Sequence, residues 1–268
     1  MNRRSFLASS VTASALAGGA GGNSGMAAQT TDRQEREYYE LRLYHLYRGR
    51  QQTRFEEYLR AAWLPAMNRL GVAPIGIFNV LVGPSNPTIY VLIPHQSLES
   101  CATIWTRLSA DPEFLKKGAD VLNTPSTDPA IIRMESSLMA AFETFPHVKP
   151  PNFGDKQKGR IFELRTYESH SMKAHRKKIE MFNSGEIPIF LRAGLLPVFF
   201  GDTFIGPNQP QLTYMITFES MEAHDKGWAT FGADPEWKKL STTPGYTDGE
   251  IVCNISNAFL RPTSYSQI

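Results

Sequence analysis

The apolar positions that follow residue 37 show two different periods. Residues 38–46 are rich in Tyr and Leu and are followed by Arg48-Gly49, a pattern that predicts a strand and then a turn. The next apolar residues recur at every fourth position, which is the period of one helix face: Phe55, Leu59, Trp63 and Met67. This spacing predicts a helix over residues 51–70 that ends at Gly71.

Two short apolar runs then predict a hairpin. Residues 75–82 and 88–93 flank the turn sequence Gly83-Pro84-Ser85-Asn86-Pro87. A helix is expected over residues 97–108, a shorter one begins at Asp111-Pro112-Glu113, and a strand over residues 131–142 ends the unit. This order of elements is that of a split βαβ unit, in which helices cover one face of a four-stranded antiparallel sheet.

The whole pattern occurs twice. The segment Tyr39 to Tyr44 recurs as Phe162 to Tyr167, at an offset of 163 − 40 = 123, and the offset holds without a gap as far as Phe114 and Trp237. Beyond that point Ala141-Phe142 aligns with Ala258-Phe259 at an offset of 117, which predicts a six-residue deletion before the last strand. A repeat of this length indicates two copies of one structural unit.

The repeat predicts an α+β protein with two tandem units. We place the first unit at residues 38–145, a Pro/Gly-rich linker at 146–159 and the second unit at 160–262. The face of each sheet that its own helices leave uncovered must be buried. We therefore expect the two antiparallel sheets to face each other around an enclosed interior.

The N-terminus has the features of an export signal. Arg3-Arg4 precedes Phe6-Leu7 and a mildly apolar stretch that is too short to span a membrane, so residues 1–28 are predicted to be a signal peptide of the twin-arginine type. We expect a bacterial periplasmic location and no stable membrane insertion once the signal is removed. Removal takes away two of the 28 basic residues and leaves 26 against 26 acidic ones, which argues against nucleic acid as a partner.

Several motifs resemble those of one family. Tyr-Glu-Leu-Arg-x-Tyr in the first strand, Ala193-Gly194 with Pro197, and Asp-Pro-Glu-Trp at residues 234–237 are similar to the NIPSNAP domain, and the resemblance covers both copies. It implies two ferredoxin-like units of the dimeric α/β barrel superfamily, arranged as an intramolecular pseudo-dimer. It implies no general catalytic mechanism, because related barrels include cofactor-free monooxygenases and haem-using enzymes.

Polar residues occupy every second position along the first strand of each unit. If Leu41 and Leu43 pack under the helices, the alternate side chains point into the interior between the sheets. The candidate binding residues are therefore Glu40, Arg42, Tyr44, Glu163, Arg165 and Tyr167. They could orient a small molecule, or each Glu-Arg pair could be purely structural and fix the contact between the halves.

Other site chemistries find less support in the residue spacing. The histidines show no metal-ligand spacing, so no metal site is predicted, and His45, His95, His170 and His224 offer no distinguished haem ligand. The two cysteines, Cys101 and Cys253, are expected to be buried apolar residues. The four tryptophans are expected to anchor the core or an interface rather than to form a stacking platform.

The leading hypothesis is an exported protein that binds a small polar or aromatic molecule between its two sheets, with no cofactor. A cofactor-independent monooxygenase or isomerase that uses the same pocket is an alternative, with Tyr44 or Tyr167 as acid or base. A protein-interaction module of the cell envelope is a second alternative. The sequence leaves open whether the protein forms a homo-oligomer and which reaction, if any, it catalyses.

Overall fold

The computed structural model describes residues 36–152, here called the first half, and residues 160–268, here called the second half. The predicted signal peptide and the part of the linker from 153 to 159 lie outside the described residues.

The elements of the first half follow the predicted order. Its strands are β1 (Tyr38–His45), β2 (Gly76–Val82), β3 (Thr88–His95) and β4 (Arg133–Ala141). Its helices are α1 (Arg50–Tyr58), a π-helical segment (Leu59–Trp63), α2 (Leu64–Arg69), α3 (Leu98–Ser109) and α4 (Pro112–Leu122). The first three of these are contiguous and correspond to the single helix that the four-residue period predicts.

The second half repeats this order and has one additional short helix before its last strand. Its strands are β5 (Ile161–Glu168), β6 (Leu196–Ile205), β7 (Gln211–Phe218) and β8 (Asn254–Pro262). Its helices are α5 (Met172–Met181), a π-helical segment (Phe182–Glu186), α6 (Ile187–Arg192), α7 (Met221–Ala233), α8 (Pro235–Ser241) and α9 (Asp248–Ile251). No helix in the described ranges is both long enough and apolar enough to cross a membrane.

Matching residues begin and end helices in the two halves. Asp111 and Asp234 cap α4 and α8, because each side chain accepts hydrogen bonds from two backbone N–H groups of the first turn. Gly71 and Gly194 follow the ends of α2 and α6 with φ of 78° and 81°, a conformation that costs glycine little. The repeat in the sequence therefore encodes the same local geometry twice.

The eight strands form one closed antiparallel barrel in the order β1-β3-β2-β8-β5-β7-β6-β4. The four strands of each half are neighbours, and the halves join where β2 pairs with β8 and β4 pairs with β6. The predicted fold class of two tandem units forming an intramolecular pseudo-dimer is confirmed. Closure leaves no sheet edge unpaired, since each sheet covers both edges of the other.

Apolar side chains from both halves fill the barrel. Tyr39 and Leu41 of β1 pack there with Phe162 and Leu164 of β5, in a cluster that also contains Met215. Two further apolar clusters lie between the barrel wall and the helices of each half. The interior of the barrel is thus a packed core.

The last strand of the two halves aligns differently from the prediction. Leu41 pairs with Ser137 and Leu164 pairs with Ala258, so the structural offset is 258 − 137 = 121. The predicted offset of 117 is wrong, and the halves differ by two residues before this strand. The match of Ala141-Phe142 with Ala258-Phe259 does not fix the alignment of the last strands. Apolar residues recur at every second position of any strand that has one buried face, so alignments shifted by an even number of residues look alike.

Both cysteines are unbridged. Cys101 is half-buried at the start of α3. Cys253 is exposed just before β8, so the expectation that it is buried is wrong.

Candidate functional site

The six candidate residues lie on the outer face of the barrel, beneath the helices. Tyr44 packs with Phe55 of α1, and Tyr167 packs with Phe182 of the second π-helical segment. The predicted orientation into the barrel interior is therefore wrong. Leu41 and Leu164, which alternate with these residues, pack inside the closed barrel instead, where a charged side chain would have no access to water. Ligand binding by the six residues stays a prediction.

In the first half the three residues form one hydrogen-bonded chain. Arg42 donates through Nε and Nη2 to the two oxygens of Glu40 at 2.7 and 2.8 Å, and through Nη1 to the Tyr44 oxygen at 3.3 Å. Ser136 Oγ of β4 donates to Glu40 at 2.7 Å. Burial acts to raise the pKa of Glu40, but the hydrogen bonds from Arg42 and Ser136 and the charge of Arg42 lower it to about 2. Glu40 is therefore ionised and compensates the charge of Arg42.

A pocket of about 410 Å³ opens beside this chain, between β1, β4 and the helices. Arg42 and Tyr44 form its polar part. Its remaining lining is mostly apolar and aromatic: Phe55, Tyr58, Trp63, Trp105, Val121, Thr124, Pro129, Ala130, Ile131 and Met134. We call this the first-half pocket. Two of its aromatic residues, Phe55 and Trp63, belong to the four-residue period that predicted the first helix. That period indicated only that they face the core.

The equivalent chain in the second half is closed by protein groups. Arg165 Nη1 donates to Glu163 at 2.6 Å and Nη2 to the Tyr167 oxygen at 3.3 Å. Trp228 Nε1 donates to Glu163 at 3.0 Å, and the centre of its ring lies 4.7 Å from the guanidinium carbon of Arg165. The Tyr167 hydroxyl also bonds to that of Tyr214 at 3.0 Å.

The first half lacks two of these closing contacts. Val91 occupies the position of Tyr214, because Arg42 pairs with Val91 across the strands as Arg165 pairs with Tyr214. Trp105, which matches Trp228 at the offset of 123, is 57% exposed at the rim of the first-half pocket. The sequence predicted Trp105 to be a core or interface anchor, and at this exposure it is not a core residue.

A buried ion pair marks the second difference between the halves. Lys178 and Glu186 stand at the positions of Phe55 and Trp63, and Lys178 Nζ lies 3.1 Å from Glu186 Oε2. Their side chains are 1% and 2% exposed. Burial acts to lower the pKa of Lys178, but the Glu186 carboxylate and the Tyr167 phenol raise it overall. Burial also raises the pKa of Glu186, and Lys178 opposes that rise. Two apolar walls of the first-half pocket are thus replaced in the second half by a charged pair.

Histidines contact both carboxylates, although the sequence singled out none of them. His224 Nε2 of α7 lies 3.2 Å from Glu163, and His95 Nε2 at the end of β3 lies 3.6 Å from Glu40. They come from different elements, because His224 matches Cys101, and Phe218 stands at the position of His95. No fixed spacing along the chain could have revealed these contacts.

Comparison with solved structures shows the same fold. A candidate monooxygenase from Fusobacterium nucleatum is 8% identical over 85% of this chain and 93% of its own, with a TM-score of 0.55. A candidate monooxygenase from Lactobacillus acidophilus is 12% identical over 85% and 94%, with a TM-score of 0.54. At these identities the likeness concerns the fold alone.

A NIPSNAP-like domain protein from Burkholderia xenovorans is 24% identical over 40% of this chain and 89% of its own, with a TM-score of 0.36. No curated protein matches the chain significantly. The NIPSNAP family model matches residues 39–146 and 162–267, which cover β1 to β4 and β5 to β8 except for the first residue of β1 and of β5. The chain therefore belongs to the NIPSNAP family, with one NIPSNAP domain in each half.

Proposed function

We propose that the protein binds a planar aromatic molecule with a carbonyl or phenolic oxygen in the first-half pocket. The observation that carries this proposal is the contrast between the halves. The contacts that close the site in the second half come from Trp228 and Tyr214. In the first half Val91 stands in the place of Tyr214, and Trp105 lies at the rim of a pocket of about 410 Å³. That volume lies within the roughly 300–1,000 Å³ of small-molecule pockets.

The walls of the first-half pocket favour an aromatic ligand. Five aromatic side chains line it, and one of them, Trp105 at the rim, is exposed enough to pack against a bound ring. An aromatic pair contributes about 0.5–1.5 kcal/mol beyond the burial of its surface.

The polar groups favour an acceptor without a full negative charge. The charge of Arg42 is compensated by Glu40, to which it donates two hydrogen bonds. The Tyr44 oxygen accepts from Arg42, which leaves its own O–H to donate to a ligand. A carbonyl or phenolic oxygen suits this donor.

The same groups argue against proton abstraction by tyrosine. Burial raises the pKa of Tyr44, and it raises that of Tyr58. Both phenols therefore stay protonated near neutral pH and act as donors rather than as bases. This supports binding over the alternative of an isomerase or monooxygenase that begins with deprotonation by Tyr44.

The test uses 1-naphthol and naphthalene as a pair of probes that differ in one hydroxyl group. We expect 1-naphthol to quench tryptophan fluorescence at a stoichiometry of one and to bind more tightly than naphthalene in calorimetry. Trp105→Ala should weaken both probes about tenfold, or ~1.4 kcal/mol, and Tyr44→Phe should weaken 1-naphthol alone.

Leu115→Ala is the matched control, because Leu115 is exposed on α4 and outside the pocket lining. Equal binding of both probes to the wild type and to Trp105→Ala would contradict the proposal. Consumption of 1-naphthol in air would instead favour the monooxygenase alternative. Mass spectrometry of small molecules that co-purify with the exported protein would then identify the natural ligand.

We also propose that the protein is exported through the twin-arginine route. The support is the Arg3-Arg4 pair with Phe6-Leu7 and the small residues near Ala27, all outside the described residues.

A further inference from the structure

Three potential metal ligands meet at one end of the first half. Glu40 lies on β1, His95 ends β3 and Cys101 lies in the first turn of α3. Their ligand atoms all lie within 4.8 Å of one another. His95 is fully buried and Glu40 is 6% exposed, while Cys101 is half-buried. A carboxylate, an imidazole and a thiol from three elements therefore converge on one point.

The contact between His95 and Glu40 is unusual for a hydrogen bond. Nδ1 of His95 lies 3.1 Å from Ser100 Oγ, so Nε2 is the atom that faces Glu40. Nε2 lies 3.6 Å from Glu40 Oε2 and has no hydrogen-bond partner in the described part of the chain. This distance is beyond the usual range for N–H···O bonds, and a buried nitrogen without a partner is costly.

The same distance suits two ligands of one metal ion. A tetrahedral ion with bonds of about 2.0–2.1 Å to N and O holds those two atoms roughly 3.4 Å apart. A cation between the two atoms would satisfy the lone pair of His95 and the second oxygen of Glu40 together. Arg42 already occupies one side of each Glu40 oxygen, but a carboxylate oxygen can accept from two directions.

The second half shows that the fold does not need this cluster. Phe218 and His224 stand at the positions of His95 and Cys101. Glu163 there is satisfied by donors, with Trp228 Nε1 at 3.0 Å and Asn257 Nδ2 at 3.0 Å. The ligand set is thus specific to the first half.

We propose that Glu40, His95 and Cys101 bind one divalent transition metal ion of the zinc type, with water as a further ligand. A thiolate with an imidazole and a carboxylate favours Zn²⁺ or Co²⁺ over Mg²⁺ or Ca²⁺. Cys101 loses its proton when the ion binds, as thiol ligands do. The positive charge of Arg42 lowers the affinity, so this site is weaker than a structural zinc site with four protein ligands. The proposal is independent of ligand binding in the first-half pocket.

The test titrates untagged, chelator-treated protein with Co²⁺ in a buffer free of thiols. One equivalent should produce a thiolate-to-cobalt charge-transfer band, and Zn²⁺ should displace it. Cys101→Ser should abolish the band and weaken binding at least tenfold, and His95→Gln should weaken it similarly. Cys253→Ser is the matched control and should retain the band, because Cys253 lies before β8, outside the cluster.

A second measurement covers the case in which a variant fails to fold. Zn²⁺ should slow the alkylation of Cys101 in the wild-type protein by at least fivefold and leave that of Cys253 unchanged, as read from peptide masses. Equal rates with and without Zn²⁺, no cobalt band, or a band that Cys253→Ser removes would each overturn the proposal.

Discussion

The arginine of the repeated motif meets a different tryptophan in each half. The guanidinium carbon of Arg42 lies 5.9 Å from the ring centre of Trp63, and that of Arg165 lies 4.7 Å from Trp228. In the second half the indole also donates to the paired carboxylate, at 3.0 Å. In the first half the carboxylate of Glu40 accepts hydrogen bonds from Arg42 and Ser136 instead. Protonation of Glu40 would weaken these bonds, so the free energy of unfolding should depend on its ionisation.

The low pKa of Glu40 predicts a specific loss of stability in acid. Its folded value is about 2 against an ordinary value of 4.5, so ionised Glu40 stabilises the native state fully above pH 4.5. As the pH falls towards 2, this contribution is lost. At pH 7, Glu40→Gln should lower the free energy of unfolding by about 3 kcal/mol, since it leaves buried Arg42 unpaired. Urea denaturation should show this difference shrinking between pH 4.5 and pH 3.

Glu57→Gln is the control, because Glu57 lies on the exposed side of α1 and 55% of its side chain is accessible. A difference between wild type and Glu40→Gln that stays constant down to pH 3 would contradict the assigned ionisation of Glu40.

The residue patterns correctly predicted which side chains share one face of a helix or strand. They did not predict whether that face points into the barrel or towards the helices. The period of four located Phe55 and Trp63 on one helix face, and the strand alternation put Glu40, Arg42 and Tyr44 on one side of β1. Alternation alone cannot say which side is the interior, because both faces of this strand are buried. That choice depends on the closure of the barrel, which involves β2–β8 and β4–β6 pairs from distant parts of the chain.

At the scale of elements, the contiguous helix of each half shows how one scaffold holds two different surfaces. The segment α1 to α2 presents aromatic side chains to the barrel wall, and α5 to α6 presents Lys178 and Glu186 at the matching positions. The backbone, including its π-helical segment, is kept. The offset of 123 predicted this equivalence, but only the structure showed that the polar pair is buried.

The buried Lys178–Glu186 pair predicts strong coupling between two substitutions. Lys178→Met should lower the free energy of unfolding by about 3–5 kcal/mol, because it leaves Glu186 buried without a partner. Adding Glu186→Leu should recover most of this loss, since an apolar pair of similar size replaces the ions. Thermal or urea unfolding of the two single variants and the double variant measures the coupling. Additive losses would show that the ions do not stabilise each other.

At the scale of the whole molecule, neither half is expected to be stable alone. A half-chain of residues 36–152 would expose the inner face of its sheet and the edges of β2 and β4 that β8 and β6 cover in the intact chain. We expect it to aggregate or to self-associate in size-exclusion chromatography. Co-expression with residues 160–268 should restore a soluble 1:1 complex. A monomeric and cooperatively folded half would contradict this.

The proposed export route has its own test. Arg3→Lys combined with Arg4→Lys should leave the protein in the cytoplasm, because the twin-arginine route reads this pair. Fractionation of a bacterial host followed by immunoblotting measures the location. A double variant at Ser9 and Ser10, changed to Ala, controls for general damage to the signal. Normal export of the double lysine variant would rule out the route.

The fusion of two barrel halves into one chain changes what mutation can do. In a symmetric assembly of two identical chains, one gene encodes both sites, and every substitution appears in both at once. Here a codon for Phe55 can be kept while the codon for Lys178 changes, because each half has its own. One half can therefore drift towards a purely supporting role while selection acts on the pocket of the other. The fixed ratio of halves also makes their pairing independent of protein concentration.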